Sequence, residues 1–515
     1  MSHASLSLLA APIFSLRSDG GASLPEVLSL LGGAEEIEFG ALRPHQQHGW
    51  HAFLVQLAAL AVHRRGDRRL DLSPEQWREA LLYLTGEAAE SAWTLVVDDL
   101  AQPAFMQPPV PEGKLAGFKN RIHRPDTLDV LVTAKNHDEK QERIDHARPE
   151  HWVFALITLQ TMEGFLGRGN YGIARMNGGF ASRPGVGLAP GLDRAARFRR
   201  DVHAWLDERP RLLDAGFDYA EQAGYTLLWL LPWTGTKRES LSLSELDPLF
   251  IEVCRRVRLV TENGGEISAR AANTQGPRVD AKHLTGNTGD LWTPVKQDGK
   301  ALTVGSRGFD YRLVTALLLS SDYPERGKPA LRPRDDDGDS PALVAEVLTR
   351  GQGTTDGYHQ RLVPVPPAIK RRLTRPAERA SLAELAKERV ERVAVAQRKV
   401  LHPTLCKLLQ GGSEKLDFRD QRTDRWLSRL DDAVDGIFFD ALWEDAADAV
   451  PTDEARRRWD RRLVDLAERQ LRDAVDAAPV PLATKRRAEA RAELMFYGLA
   501  RNHLPLAFTR DEEHP

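Results

Sequence analysis

VTAKNHDEKQERIDHARPEHWVFALITLQTMEGFLGRGNYGIARMNGGFASRPGVG, residues 132–187, holds three patterns in succession. It opens as a charged, polar segment carrying Lys135, Asn136, His137, Lys140 and Arg143. The run from His151 to Gly164 is then apolar over a helix length, which predicts a buried helix. Beyond it stand glycines at 167, 169, 172, 178, 179, 185 and 187, and arginines at 168, 175 and 183, which predict loops. Glycine lets a backbone approach a flat or charged surface because no Cβ intervenes. Arginine supplies a planar fork that grips phosphates or base edges. A polar loop and a Gly/Arg loop at the two ends of one helix predict the two jaws of a site for a large anion.

The chain around this stretch has 515 residues, more than one core accommodates, so two or more domains are expected. It is 42% hydrophobic and 28% charged, as a soluble globular protein is. Its two cysteines, Cys254 and Cys406, exclude a disulfide framework and a cysteine-rich zinc site, and fit a reducing, cytoplasmic setting. The N-terminal SHASLSLLAAPIFSL has no basic leader and reads as a strand, not a signal peptide. No run of 18 apolar residues predicts a membrane span. A net charge of −3 argues against a protein coated in nucleic acid. It leaves room for a local basic site, because a patch acts over about 8 Å at physiological salt.

The chain in order predicts a mixed α+β part, mainly helical with short hairpins, over residues 1–368. A linker follows over 369–376, then an all-α four-helix bundle over 377–515. In the first part, 45–62 (HQQHGWHAFLVQLAALAV) reads as a buried helix, and Ser73-Pro74-Glu75-Gln76 caps another. Helices are expected near 191–207 and 240–254. VRLVTENGGEISAR predicts a hairpin around Asn263-Gly264-Gly265, and GDLWTPVKQDGKALTVG a second at Asp298-Gly299. In the last part, Ser381 with Glu384 reads as a capping box, and Pro403 as the end of the first helix. The second helix is placed at 424–447, the third after Pro451-Thr452. The fourth spans 484–502 with Leu494 and Leu499 inward.

Several motifs fall short of a chemistry. Gly167-Arg168-Gly169-Asn170-Tyr171-Gly172 matches G-x-G-x-x-G, but a helix precedes it where a dinucleotide site needs a strand. A glycine loop packed for shape explains it better. Asp335, Asp337, Asp339 and Glu346 have the ligand spacing of a calcium loop, with Ser340 where that loop needs glycine. A solvated acidic loop is the simpler reading. His137-Asp138 is a metal-type pair without further ligands at known spacing, and G-x-S-x-G, P-loop and H-E-x-x-H patterns do not occur. Basic clusters at Arg194, Arg197, Arg199 and Arg200, at Lys370, Arg371, Arg372 and Arg375, and at Lys485, Arg486, Arg487 and Arg491 read singly as solvated faces. Jointly they would suit an anionic groove. A chain this long with no catalytic constellation points to binding or scaffolding. A metal-dependent nucleic-acid-processing enzyme using His137-Asp138, and a scaffold that touches only protein, are the alternatives.

In the order and length of its parts the chain resembles the CasA family, the large subunit of the type I-E CRISPR surveillance complex, Cascade. The residues that carry this are Pro103-Ala104-Phe105-Met106-Gln107, the Lys135-Asn136-His137-Asp138 loop, the Asn177-Gly178-Gly179-Phe180 loop and the helical C-terminal part. The resemblance implies a non-catalytic, DNA-binding subunit of an antiviral defence system, with no cofactor and, with Cys254 alone, no zinc. It implies recognition of the protospacer-adjacent motif (PAM) in double-stranded target DNA, R-loop formation and recruitment of a helicase–nuclease. The guide CRISPR RNA and the other Cascade subunits are its implied partners. Carried over residue by residue, it assigns a docking and PAM loop to Lys135, Asn136 and His137, and a glycine loop against the duplex to Asn177, Gly178 and Gly179. It assigns a minor-groove lysine to Lys282, ahead of Gly289-Asp290-Leu291-Trp292, and a wedge hairpin to Gln352, Gly353 and Thr354. The minor groove shows few donors and acceptors, so such readers would tolerate several PAM sequences.

Overall fold

The computed structural model describes residues 6–17, 20–129, 142–178, 181–191, 193–262, 264–334, 337–351, 354–447, 452–477, 479 and 482–509. The chain is α+β and divides into two compact units, Met1–Phe309 with Ser321–Pro364, and Asp310–Ser320 with Val365–Pro515. No helix among the described residues is long and apolar enough to cross a membrane.

The first unit begins with a two-residue ribbon, β1 (Phe14–Ser15) against β2 (Gly21–Ala22). Helices α1 (Leu24–Gly32), α2 (Gln47–Arg64), α3 (Pro74–Thr85), α4 (Pro149–Met162) and α5 (Arg194–Asp214) follow. Strand β3 (Asn120–Ile122) precedes α4, and β4 (Gly185–Ala189) follows it. Then come β5 (Tyr225–Leu227), β6 (Leu246–Ile251), β7 (Arg256–Thr261) and β8 (Ile267–Ala272). The unit ends in the long hairpin β9 (Ala342–Gly351) and β10 (Thr354–Pro364). Strand order is β10-β9-β4 in one sheet and β3-β8-β7 in another, all antiparallel, with β5 and β6 parallel.

The core forms around α2 and α4, whose residues Trp50–Val62 (His51 apart) and Trp152–Met162 are buried. A helix apolar on every side is stable only in the middle of other elements. Trp50 and Phe154 meet at 5.1 Å between ring centroids, with Phe14 and Phe39 around them. The helix expected at 240–254 is a strand: Leu246–Ile251 is too short a run for a buried helix, and all six residues are buried. The second expected hairpin reduces to a turn with one bridge, Val295 to Ala301.

The second unit is helical: α6 (Tyr311–Leu319), α7 (Pro367–Thr374), α8 (Pro376–Val395), α9 (His402–Leu409), α10 (Asp424–Asp435), α11 (Phe438–Ala447), α12 (Thr452–Ala477) and α13 (Leu482–His503). Residues 369–374, read as part of a linker, are helical within α7, and α6 belongs here although it lies far upstream. Ser381 sits inside α8, not at its start, because Pro376 begins that helix. Pro403 does not end it either: the wider turn Ala396–Leu401 resets the backbone, so Pro403 occupies the first turn of α9, where no donor is needed. The expected helix at 424–447 breaks at Gly436. On α13 the inward stripe is Ala488, Ala492, Phe496 and Ala500, one every fourth residue, and Leu494 is 77% exposed.

Candidate nucleic-acid interface

Helix α4 ends at Met162, and its C-terminal end holds everything around it. The carbonyls of Met162 and Glu163 accept the amides of Arg183 (3.3 Å) and Ile173 (3.2 Å), so the glycine-rich segment returns to where it left. Its arginines face inward. Arg175 donates to Glu252 Oε1 (2.9 Å) and to the Phe250 carbonyl (2.9 Å), with its guanidinium 3.8 Å from the Phe250 ring centre. Arg183 pairs with Asp290 through Nε at 2.9 Å. Burial opposes ionisation of Asp290, but Arg183 and Arg175 hold its carboxyl below the usual range. The expectation that these two forks grip a ligand is therefore corrected: both are buried and engaged with carboxylates. Arg168 is exposed.

The tip of the segment is outside. Met176 is buried, Asn177 half-buried and Gly178 exposed. Gly178 has φ +44°, and a Cβ there would meet no atom within 4 Å. Gly179 lies outside the described residues.

A second segment packs against this tip. Lys282–Leu284 forms one 3-10 turn with Lys282 and His283 exposed, and Thr285 and Gly286 continue with φ of +50° and +83°. A Cβ on Gly286 would stand 2.4 Å from the Met176 carbonyl carbon and 2.6 Å from the Asn177 nitrogen. Only glycine permits this backbone-to-backbone approach. Two stitches thus hold the segments together, Gly286 against residues 176–177 and Asp290 against Arg183. The exposed Gly178 bend and the exposed Lys282 turn stand on the two packed segments.

A third node lies at the end of the long hairpin. Arg350 forms a buried ion pair with Glu163 and donates to Thr355 Oγ1 (2.7 Å) and the Asp129 carbonyl (2.8 Å). Burial pushes the Glu163 carboxyl up, against the pull of Arg350 and Arg255. Asp129 is itself buried, accepting from Gln46 Nε2 (2.7 Å) and lying 2.8 Å from His45 Nε2. Burial raises it, but His45 and Arg43 outweigh that and hold it low. Asp126 accepts the amides of Arg143 (2.6 Å) and Ile144 (3.1 Å), joining the two flanks of the polar segment. Thr354 pairs with Gly351 in the ladder and is half-buried. Lys135, Asn136, His137, Gln352 and Gly353 lie outside the described residues, while the flanks of both segments meet at Asp129 and Arg350.

Two acidic candidates for a calcium loop are committed elsewhere. Asp337 is buried against Arg200 and accepts the Arg334 amide at 2.6 Å. Glu346 is buried and accepts from Arg197 (3.0 Å) and Tyr358 (3.0 Å). Both are internal counter-charges, not a solvated loop. They also take up Arg197 and Arg200 of the first basic cluster. The glycines at 167, 169 and 172 follow a helix and precede loop, so no nucleotide-binding βαβ unit is present there. Cys254 is buried and donates to the Leu159 carbonyl (3.0 Å), and burial pushes its thiol up to about 11. Among the described residues no cluster of three or more metal-ligating side chains occurs.

The positioning residues Glu163, Asp129, Asp290, Gly286 and Arg350 escape a reading of the sequence. Each acts across more than 75 residues of chain, and only the Gly286–Gly289 spacing hints at a tight path.

An α+β unit with two packed surface loops, followed by a helical unit, is the architecture these elements define. The chain has the fold of the Cse1 (CasA) proteins. Over 98% of this chain and 99% of the other it superimposes on Thermobifida fusca Cse1 with a TM-score of 0.63 at 14% identity. For Thermus thermophilus CasA (Cse1) the TM-score is 0.60 at 14% identity, covering 96% and 99%. For the CRISPR-associated protein Cse1 of Acidimicrobium ferrooxidans it is 0.58 at 13%, covering 97% and 98%. No family model and no curated protein matches the sequence.

Proposed function

We propose that this chain is a member of the CasA family, the non-catalytic large subunit of an RNA-guided CRISPR surveillance complex. It acts in the cytoplasm with the other Cascade subunits and the guide CRISPR RNA. It reads the PAM in duplex target DNA, promotes R-loop formation and recruits a helicase–nuclease. The observation that carries this reading is the placement of the exposed Gly178 bend and the exposed Lys282 turn on two segments packed backbone to backbone. It gains support from the Cse1 fold over nearly the whole chain.

At Gly178 the backbone stands exposed with no side chain in front of it, and Lys282 adds an exposed cation on the neighbouring packed segment; Asn177 and Gly179 are assigned to the duplex with them. Such a pair reads the shallow, degenerate minor groove by width and charge more than by a base code. The Lys135–His137 segment and the Gln352–Thr354 turn are assigned to the same duplex. The described residues flanking both, Asp129 and Arg350, meet at the buried Arg350–Glu163 pair. A hairpin tip at the PAM edge would unstack a base step at about a few kcal/mol, offset by contacts with the opened strands.

The test uses the assembled complex in gel shifts on targets with varied PAMs. Gly178→Asp, which sets a carboxylate against the phosphates, and Lys282→Ala should each weaken PAM-dependent binding while leaving assembly intact. Wild-type binding by the Gly178→Asp complex would falsify the site.

A further inference from the structure

A cavity of about 520 Å³ opens beside the segment that carries Lys282. Asn287 and Gly289 form part of its wall. They continue the segment that carries Lys282 and Gly286, so the cavity is contiguous with the loop pair.

Its charge is one-sided. Four cationic side chains line it, Arg211, Lys296, Arg326 and Arg332. Against them stands Glu208, whose Oε1 is shared between Arg211 (2.5 Å) and Arg332 (2.6 Å). One carboxylate between two guanidiniums leaves a positive surplus. Asp290 also lines the cavity, but its charge is spent on Arg183. Lys296 and Arg326 are exposed, and neither side chain makes an ion pair or hydrogen bond among the described residues. The backbone sets them side by side: the Val295 amide donates to the Gly327 carbonyl at 2.7 Å, so the residues next to each share one rim.

Part of the wall is apolar, formed by Leu212, Phe217, Val295 and Pro324, with Asn287, Thr293 and Gln297 as neutral polar neighbours. An inorganic anion needs only the cations. A cavity of this volume with an aromatic ring and an apolar floor suits a flat heterocycle with a phosphate attached. We propose that this cavity binds a phosphorylated nucleotide, with the phosphate on Lys296 and Arg326 and the base against the Phe217 side. The nucleotide belongs either to an unpaired strand or to the free pool. The site goes beyond the duplex reading of the Gly178 and Lys282 loops and does not depend on it.

The experiment is fluorescence anisotropy of labelled ten-residue oligo-dT on the full chain, wild type against a Lys296→Glu/Arg326→Glu double variant. Unlabelled oligo-dT, thymidine monophosphate, inorganic phosphate and a paired duplex serve as competitors. Both substituted residues are exposed, so the variant should keep the wild-type melting curve. The expected result is binding weakened at least tenfold in the variant. Loss of the neutralised phosphate should also flatten the slope of log affinity against log salt by about 0.7. Displacement by the oligonucleotide and not the monophosphate identifies a strand as the source; displacement by both identifies free nucleotide. Equal binding by wild type and variant overturns the proposal, as does competition by inorganic phosphate or by duplex as strong as by oligo-dT. Neither outcome bears on PAM recognition, which is read with Gly178→Asp in the assembled complex.

Discussion

Arg350, at the end of the hairpin strand β9, and Glu163, at the C-terminal end of α4, form an ion pair with both side chains buried. They are 187 residues apart in the chain. The pair fixes where the hairpin turn leaves the first unit, because the same guanidinium also holds Thr355 and the Asp129 carbonyl.

Removing one partner of this pair leaves the other desolvated and uncompensated. Glu163→Leu should destabilise the first unit by about 3–5 kcal/mol, and Glu163→Leu with Arg350→Met by clearly less, in urea unfolding. Arg350→Met alone has a distinct signature. Burial already raises Glu163, and loss of Arg350 raises it further. A carboxyl whose folded value lies above its unfolded one adds stability below the unfolded value and loses it as pH rises. The deficit of Arg350→Met should therefore shrink as pH falls toward the ordinary carboxylate range.

Two glycines close together should respond oppositely to alanine. At Gly286 a methyl group would overlap the backbone of residues 176–177, so Gly286→Ala must push the segments apart. At Gly178 the space is open, and the change adds only the left-handed strain of about 1–2 kcal/mol. Gly286→Ala should thus lower stability by more than Gly178→Ala in thermal melts. It should also reduce target binding by the assembled complex although residue 286 is itself buried.

His48 sits on α2 beneath the returning segment, its Nε2 3.2 Å from the Arg183 carbonyl. Burial pushes its pKa down to about 4. The unfolded chain takes up this proton near pH 6.5, the folded chain only near 4. Stability therefore falls as pH drops through that window and levels off below it. The gap is worth about 3 kcal/mol. The difference in unfolding free energy between wild type and His48→Gln, followed from pH 7 to 4, should shift by about that amount in favour of the variant.

On α13, Phe496 is fully buried in the alanine stripe while Leu494 points to solvent. Phe496→Ala should lower stability by about 3–5 kcal/mol, and Leu494→Ala should stay within about 0.5 kcal/mol of wild type, in calorimetry of the full chain.

Periodicity revealed the elements that are apolar enough to announce themselves. The all-round apolar runs of α2 and α4 and the β7–β8 hairpin lie where their sequence places them. The departures have local causes. Leu246–Ile251 (LDPLFI) is a six-residue stretch, a length that suits a strand or a helix turn, and pairing with β5 decides it. Pro403 reads as a stop because the π turn before it leaves no mark in composition. Leu494 reads as core because leucine outweighs alanine in any apolar count, yet close approach on α13 favours alanine. At the candidate site, exposure of Gly178 and Lys282 agrees with their residue types. The burial of Arg175 and Arg183 was hidden, because their counter-charges Glu252 and Asp290 lie 77 and 107 residues further along.

The second unit is assembled from two separated stretches, and this has a consequence for anyone wishing to isolate it. A gene fragment starting at residue 365 omits Tyr311, whose ring lies 4.8 Å from that of Phe438. It also omits Arg312, the partner of Asp431 at 2.6 Å, and the Tyr311 amide that Asp435 accepts. A contiguous fragment that keeps both stretches, 310–515, carries residues 321–364 of the first unit with it; without them, residues 310–320 must be supplied in trans or joined on separately.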